Sequence, residues 1–177
     1  MLHPGRRDAR SAAMRIRLAP VAFAAAFAAV LAAPAAAATF DPLTFFAGHT
    51  EGRGTLKVVV GPHTPVIVHG RGHVDGDGSL VLEQTVVEGR KRPGERRWTF
   101  RALGGGRYAG TLSDAAGPVV GEVAGPRLHL HFHMRGGIVA DQRLDLSSDG
   151  QQAHNRMTFR KLGVIVARLD ETIRRVP

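Results

Sequence analysis

The chain has 177 residues, 24 of them basic and 15 acidic, with no cysteine, so a disulfide framework, a thiolate zinc site, a cysteine nucleophile and an iron–sulfur cluster are excluded. The length fits one domain with an appendage. Setting aside the five arginines and one aspartate of residues 1–38 leaves 19 basic and 14 acidic groups, a net +5 that favours anionic surfaces such as lipid headgroups or polysaccharide.

The first element is a predicted export signal over residues 1–38, with its apolar part helical. Arg15 and Arg17 precede an apolar run from Leu18 to Ala33, Pro34 breaks it, and Ala36 and Ala38 supply the small residues of an Ala-x-Ala cleavage site. Cleavage after Ala38 leaves Thr39 as the new N-terminus. An uncleaved anchor is the alternative, although the run is alanine-heavy, holds Pro20 and is barely long enough for a bilayer. No cysteine follows, which excludes a lipid-modified terminus. Arg6-Arg7 is followed by Asp8-Ala9-Arg10, a poor match to a twin-arginine signal. Met14-Arg15-Ile16-Arg17 makes a better translation start than Met1. The expected product is a soluble periplasmic or secreted domain over residues 39–177.

Asp41 can cap a short helix with Pro42 at its first position, and only the stretch before Gly48 can be helical. From there Gly, Pro, Asp and Ser punctuate short β-type runs to the end of the chain. About ten strands are predicted: Arg53–Val60, Pro65–Val74, Ser79–Glu88, Glu95–Leu103, Arg107–Ser113, Pro118–Ala124, Arg127–Arg135, Ile138–Leu146, Gln152–Lys161 and Val164–Arg174. Leu128, Leu130, Phe132 and Met134 share one face of the seventh, opposite His129, His131 and His133. In the last, Ile165, Ala167, Leu169 and Ile173 are expected to face one way, and Arg168, Asp170 and Arg174 the other. One apolar face per strand with hairpin-length links predicts an antiparallel all-β sheet. Closure into an up-and-down barrel removes its open edges, with a β-sandwich as the alternative.

The order of the punctuation resembles a bacterial family of uncharacterised envelope proteins assigned to the lipocalin-like, or calycin, barrels. The resemblance runs from Phe40 to Arg175. It is carried by Phe45-Phe46-x-Gly48 with Gly52 and Gly54, Arg97-Trp98, Tyr108-x-Gly110, Asp114 and Gly117, Gly121-x-x-x-Gly125, Asn155-Arg156 and Lys161-x-Gly163. It implies a barrel with an apolar interior and an N-terminal segment closing one end, and no known activity. The Gly-x-Trp of ordinary lipocalins is absent. So is the Asp-Asp-Trp segment of many family members, because Asp141 to Asp149 holds no tryptophan.

His129-x-His131-x-His133 has the alternation of a metal site, with same-face side chains about 7 Å apart. Their strand needs its Leu and Phe face for the core, so the histidines are expected to face solvent and bind no metal. Asp75-x-Asp77-x-Ser79 opens like a calcium loop but places Val86 where the twelfth-position carboxylate belongs. Gly104-Gly105-Gly106 lies between strands and reads as a turn. No Gly-x-Ser-x-Gly elbow is present, and nothing in the spacing of Asp114, Asp141, His154 and Asn155 joins them as an acid–base pair. The Arg90, Lys91, Arg92, Arg96 and Arg97 cluster around Pro93-Gly94 reads as a solvated hairpin end.

Trp98, Phe100, Tyr108 and Phe132 are the candidate interior residues for a small apolar or amphipathic ligand such as a lipid. A barrel filled by its own side chains and acting through its outer surface is the alternative, and a histidine-based metal or haem protein a third reading. No cofactor, nucleic acid or second subunit is expected, and an anionic envelope surface is the candidate partner.

Overall fold

Glycine and Asp-Gly turns divide the chain into ten strands in the computed structural model, which describes residues 38–177. The strands are β1 (Gly48–Val58), β2 (His63–Val74), β3 (Leu80–Glu88), β4 (Gly94–Gly104), β5 (Arg107–Leu112), β6 (Val119–Ala124), β7 (Arg127–Met134), β8 (Ile138–Leu146), β9 (Gln152–Lys161) and β10 (Val164–Val176). The expected export signal, the Met14 start and the anchor alternative lie outside the described residues, save for Ala38 at the border.

Every strand pairs antiparallel with its neighbour in sequence, and β1 also pairs with β10 from His49↔Val176 to Val58↔Ala167. That last pairing closes the barrel and leaves no sheet edge, which settles the barrel against the sandwich. β1 begins five residues earlier than expected. Gly48 and Gly52, which precede the expected strand, are strand residues here, and Gly52 and Gly54 make room for Glu171 on the neighbouring β10.

The inside is built by period-two alternation. Leu128, Leu130 and Phe132 of β7 are buried, as are Leu80 and Leu82 of β3, Trp98 and Phe100 of β4, and Ala140 and Leu144 of β8. Burying one such large apolar side chain contributes about 1.5–3 kcal/mol. The outside is charged, with Arg127, Arg143, Arg156 and Arg168 on β7 to β10. Charged outside and apolar inside is the reverse of a membrane-spanning barrel, whose lipid-facing band is apolar. No helix among the described residues is long and apolar enough to cross a membrane.

One end is closed by α1 (Pro42–Phe45). Asp41 caps it, accepting from Leu43 N–H at 3.0 Å, and Pro42 occupies the first turn as the sequence predicts. Phe40 N–H donates to Gly125 C=O at 2.9 Å, and the rings of Phe40 and Phe45 pack 5.3 Å apart. Gly72 permits this closure, since a Cβ there would stand 1.9 Å from Phe46 C=O oxygen.

The facing of β10 follows expectation from Ala167 onward and differs at Ile165. The register shifts between Ile165, which pairs with Arg160, and Ala167, which pairs with Phe159. Arg160 and Phe159 point to opposite faces, so the bulge turns Ile165 outward and leaves Ala167 in phase with Leu169. The same phase carries Glu171 inward between Leu169 and Ile173.

Candidate functional site

A cavity of ≈ 80 Å³ lies inside the barrel, between the aromatic residues that plug the α1 end and the opposite rim. Apolar walls come from Val66, Leu82, Trp98, Phe100, Met157 and Leu169. Into these walls the strands project five polar side chains: Gln84, Arg96, Gln142, Asn155 and Glu171.

Three of the five form a chain across adjacent strands. Gln142 Nε2 of β8 donates to Asn155 Oδ1 of β9 at 3.0 Å, and Asn155 Nδ2 donates to Glu171 Oε2 of β10 at 2.8 Å. Asn155 and Glu171 are directly opposed in the ladder, while Gln142 reaches Asn155 diagonally. All three are more than nine-tenths buried. Two acceptor atoms are left over: Gln142 Oε1 and Glu171 Oε1 are buried with no hydrogen-bond partner. Such groups cost about 1–3 kcal/mol each when left unpaired, so they are among the most expensive atoms in the barrel.

Burial pushes the Glu171 carboxyl above the ordinary carboxylate range, and the Asn155 hydrogen bond and the Arg96 charge only partly oppose it. A carboxyl so raised holds its proton further into the neutral direction. Arg96 enters the cavity lining while pairing with Asp114 at 2.6 Å. It is therefore set apart from the solvated cluster in which the sequence places it.

The sequence candidates fall in two positions. Trp98 and Phe100 line the cavity. Phe132 is fully buried behind Trp98, their rings edge-on at 5.6 Å, and Tyr108 is half-buried against Phe100 at 6.4 Å. Trp98 Nε1 donates to Gln84 Oε1 at 2.8 Å, which satisfies the indole and fixes its plane. Glu171 and Gln142 belong to no motif, and the spacing of Asn155 joins it to no partner. Their alternation with Leu169 and Ile173, Ala140 and Leu144, and Ala153 and Met157 carries the signal that would have found them.

On the outer face, Asp141 meets His129 Nε2 at 3.2 Å, His131 Nδ1 at 3.6 Å and Arg143 at 3.7 Å. Burial raises the Asp141 carboxyl, but hydrogen bonding and charge from His129, with Arg143 and His131, outweigh it and hold it below its ordinary value. The three histidines of β7 point outward, as their alternation requires. His154 pairs with Asp170 at 2.9 Å, Asp114 with Arg96, and Asn155 with Glu171. Asp114, Asp141, His154 and Asn155 thus go to four separate places.

The family model described as a protein of unknown function (DUF3833) matches residues 23–175. The chain belongs to the DUF3833 family. A comparison with curated proteins gave no match. Among solved structures, this DUF3833 barrel is similar to the S-type phycobiliprotein lyase CPES of Guillardia theta, with a TM-score of 0.62, 7% identity, and coverage of 76% of this chain and 90% of that one. It is similar to Rv2717c of M. tuberculosis, with a TM-score of 0.61, 17% identity and coverage of 76% and 95%. A DUF3598 protein of unknown function from Nostoc punctiforme gives a TM-score of 0.61 at 12% identity, covering 82% of this chain and 53% of that one, so this chain spans about half its length. These likenesses agree with the lipocalin-like barrel implied by the sequence resemblance.

Proposed function

We propose that this DUF3833 barrel is an exported binder of a small amphipathic molecule, held with its polar head against Glu171 and Gln142 and its apolar part against Trp98, Met157 and Leu169. The observation that supports this reading is the pair of buried, unpartnered acceptors beside the apolar walls of the cavity. A fold needs no acid there, and a leucine would fill the same space without desolvating a carboxyl. The chain instead places Gly52 and Gly54 beside it, where a Cβ would stand 2.0 Å from Glu171 Oε1 and 2.7 Å from Glu171 Cβ. A head group that donates hydrogen bonds, such as a hydroxyl, amide or carboxylic acid, complements the two free acceptors.

The cavity volume limits what enters without rearrangement. At ≈ 80 Å³ it is smaller than the roughly 300–1,000 Å³ of ordinary ligand sites, so a lipid-sized ligand must displace side chains. The flexible Met157 and the Leu169 beside it are the residues placed to yield. The same small volume favours a second reading, a barrel filled by its own side chains that acts through its outer face.

Native mass spectrometry of the protein taken from its own cells, followed by solvent extraction, separates the two. A bound small molecule in the wild-type protein, lost from Glu171→Leu, supports the binder. An empty wild-type barrel whose Trp98 emission is unmoved by added long-chain fatty acid or alcohol refutes it.

A further inference from the structure

The connections at the two ends of the barrel differ in charge and in polarity. The connections at the α1 end span residues 75–79, 105–106, 125–126 and 147–151, and carry Asp75, Asp77 and Asp149 with no basic residue. The connections at the far end span residues 59–62, 89–93, 113–118, 135–137 and 162–163. They carry Arg90, Lys91, Arg92 and Arg135 against Asp114, which Arg96 already engages, and Glu88 at the end of β3 pairs with Lys91 at 2.6 Å.

The far end also displays large apolar side chains. Val59 is 59% exposed, Val60 91%, Leu162 94% and Val164 66%. Closure of the barrel makes them neighbours, because β1 pairs with β10 and Val59 N–H donates to Val166 C=O at 2.9 Å. The β10 bulge adds Ile165 to the outer surface beside them. Basic groups stand on both sides of this apolar edge. The Arg90–Arg92 hairpin adjoins it through Gly89 N–H and Pro65 C=O at 2.9 Å, and Lys161 and Arg135 stand on the other side.

Leu162 is the decisive residue. It has φ 51 and is the one non-glycine with positive φ among the described residues. It precedes Gly163, φ 79, in a two-residue hairpin turn. Both central positions of such a turn need positive φ, which Asn, Asp and Gly supply with least strain. A leucine there is unfavourable for the turn, and at this exposure it gains nothing from the core. Backbone strain retained together with exposed apolar surface marks a position shaped by something other than folding.

We propose that the far end of the barrel docks on an anionic lipid bilayer, with Val59, Val60, Leu162 and Val164 entering the interfacial layer and Arg90, Lys91, Arg92, Arg135 and Lys161 meeting the headgroups. Shallow apolar insertion combined with basic groups at headgroup level is the physical basis of peripheral membrane binding. A lipid partner fits better than a second copy of this chain, because two such basic ends would repel. The inference does not require a cavity ligand, and vesicle binding is read without one, so either reading can fail alone.

The test is cosedimentation of the protein, in the form its own cell makes, with vesicles of phosphatidylglycerol mixed with phosphatidylethanolamine and with vesicles of phosphatidylcholine alone. Binding to the first is expected to exceed binding to the second and to weaken as salt rises. Leu162→Asn improves the turn, so its melting temperature should equal or exceed that of the wild type while vesicle binding falls about tenfold or more. Replacing Arg90, Lys91 and Arg92 by Ser should remove the preference for anionic vesicles. Unchanged binding by Leu162→Asn, or equal binding to both vesicle types, overturns the proposal. So does concentration-dependent self-association that Leu162→Asn abolishes, because the occupant would then be a second copy.

Discussion

Gly52 of β1 and Glu171 of β10 form a matched pair: a Cβ on residue 52 would stand 2.0 Å from Glu171 Oε1, so the acid occupies the space that the missing side chain leaves. The strands are hydrogen-bonded neighbours, with Gly52 opposite Ile173 and Gly54 opposite Glu171. The buried carboxyl therefore depends on close backbone approach from the strand that closes the barrel.

Gly52→Ala is expected to destabilise the barrel by about 1–3 kcal/mol through overpacking. In a Glu171→Ala background the same change should cost much less, because the clash is gone. Urea denaturation of the four proteins of this double-mutant cycle measures the coupling. Additive effects would mean that the two residues do not share the space.

Glu171→Gln should stabilise the protein at neutral pH. Folding raises the carboxyl above its unfolded value near 4.5. The folded state then binds its proton more tightly than the unfolded state, so this contribution is fully present below the unfolded value and is lost as pH rises through the folded one. The amide has no charge to bury, so its advantage over wild type should grow from acid to neutral pH. Melting curves across that range test it, and a constant difference would show Glu171 to be unshifted.

Trp98→Ala is expected to cost about 3–5 kcal/mol, from lost burial and the cavity left against Phe132. Trp98→Phe should cost less and leave Gln84 Oε1 without its donor. The chain's one tryptophan should emit at short wavelength in the native protein. A solvent-like maximum with an unchanged melting temperature in Trp98→Ala would place the ring outside.

Replacing His129, His131 and His133 together with Gln should alter stability by no more than about 1 kcal/mol, since half-exposed pairs with Asp141 are screened by water. Stoichiometric zinc or iron in protein purified without a histidine tag would overturn the outward, metal-free reading of this strand.

The exported form is expected to begin at Thr39, and intact mass with N-terminal sequencing decides it. A mass that retains Leu18 to Ala38 would establish an anchor.

The strand count, the α1 cap and the outward histidines of β7 were legible in the sequence, because each is local. A period of two, an Asp-Pro start and a Gly turn act over a few residues and need no partner. Closure, and with it the site, depends on residues far apart in the chain. Nothing near residue 52 announces that its glycine faces an acid 119 positions later, or that Val59 and Val60 will stand beside Leu162. A one-residue bulge at Val166 turns Ile165 away from the face of Ala167 and Leu169, and only the pairing with β9 reveals it. Alternation told which residues could point inward; the tertiary structure decided which polar groups meet there, because cross-strand neighbours are chosen by register and by closure of the barrel.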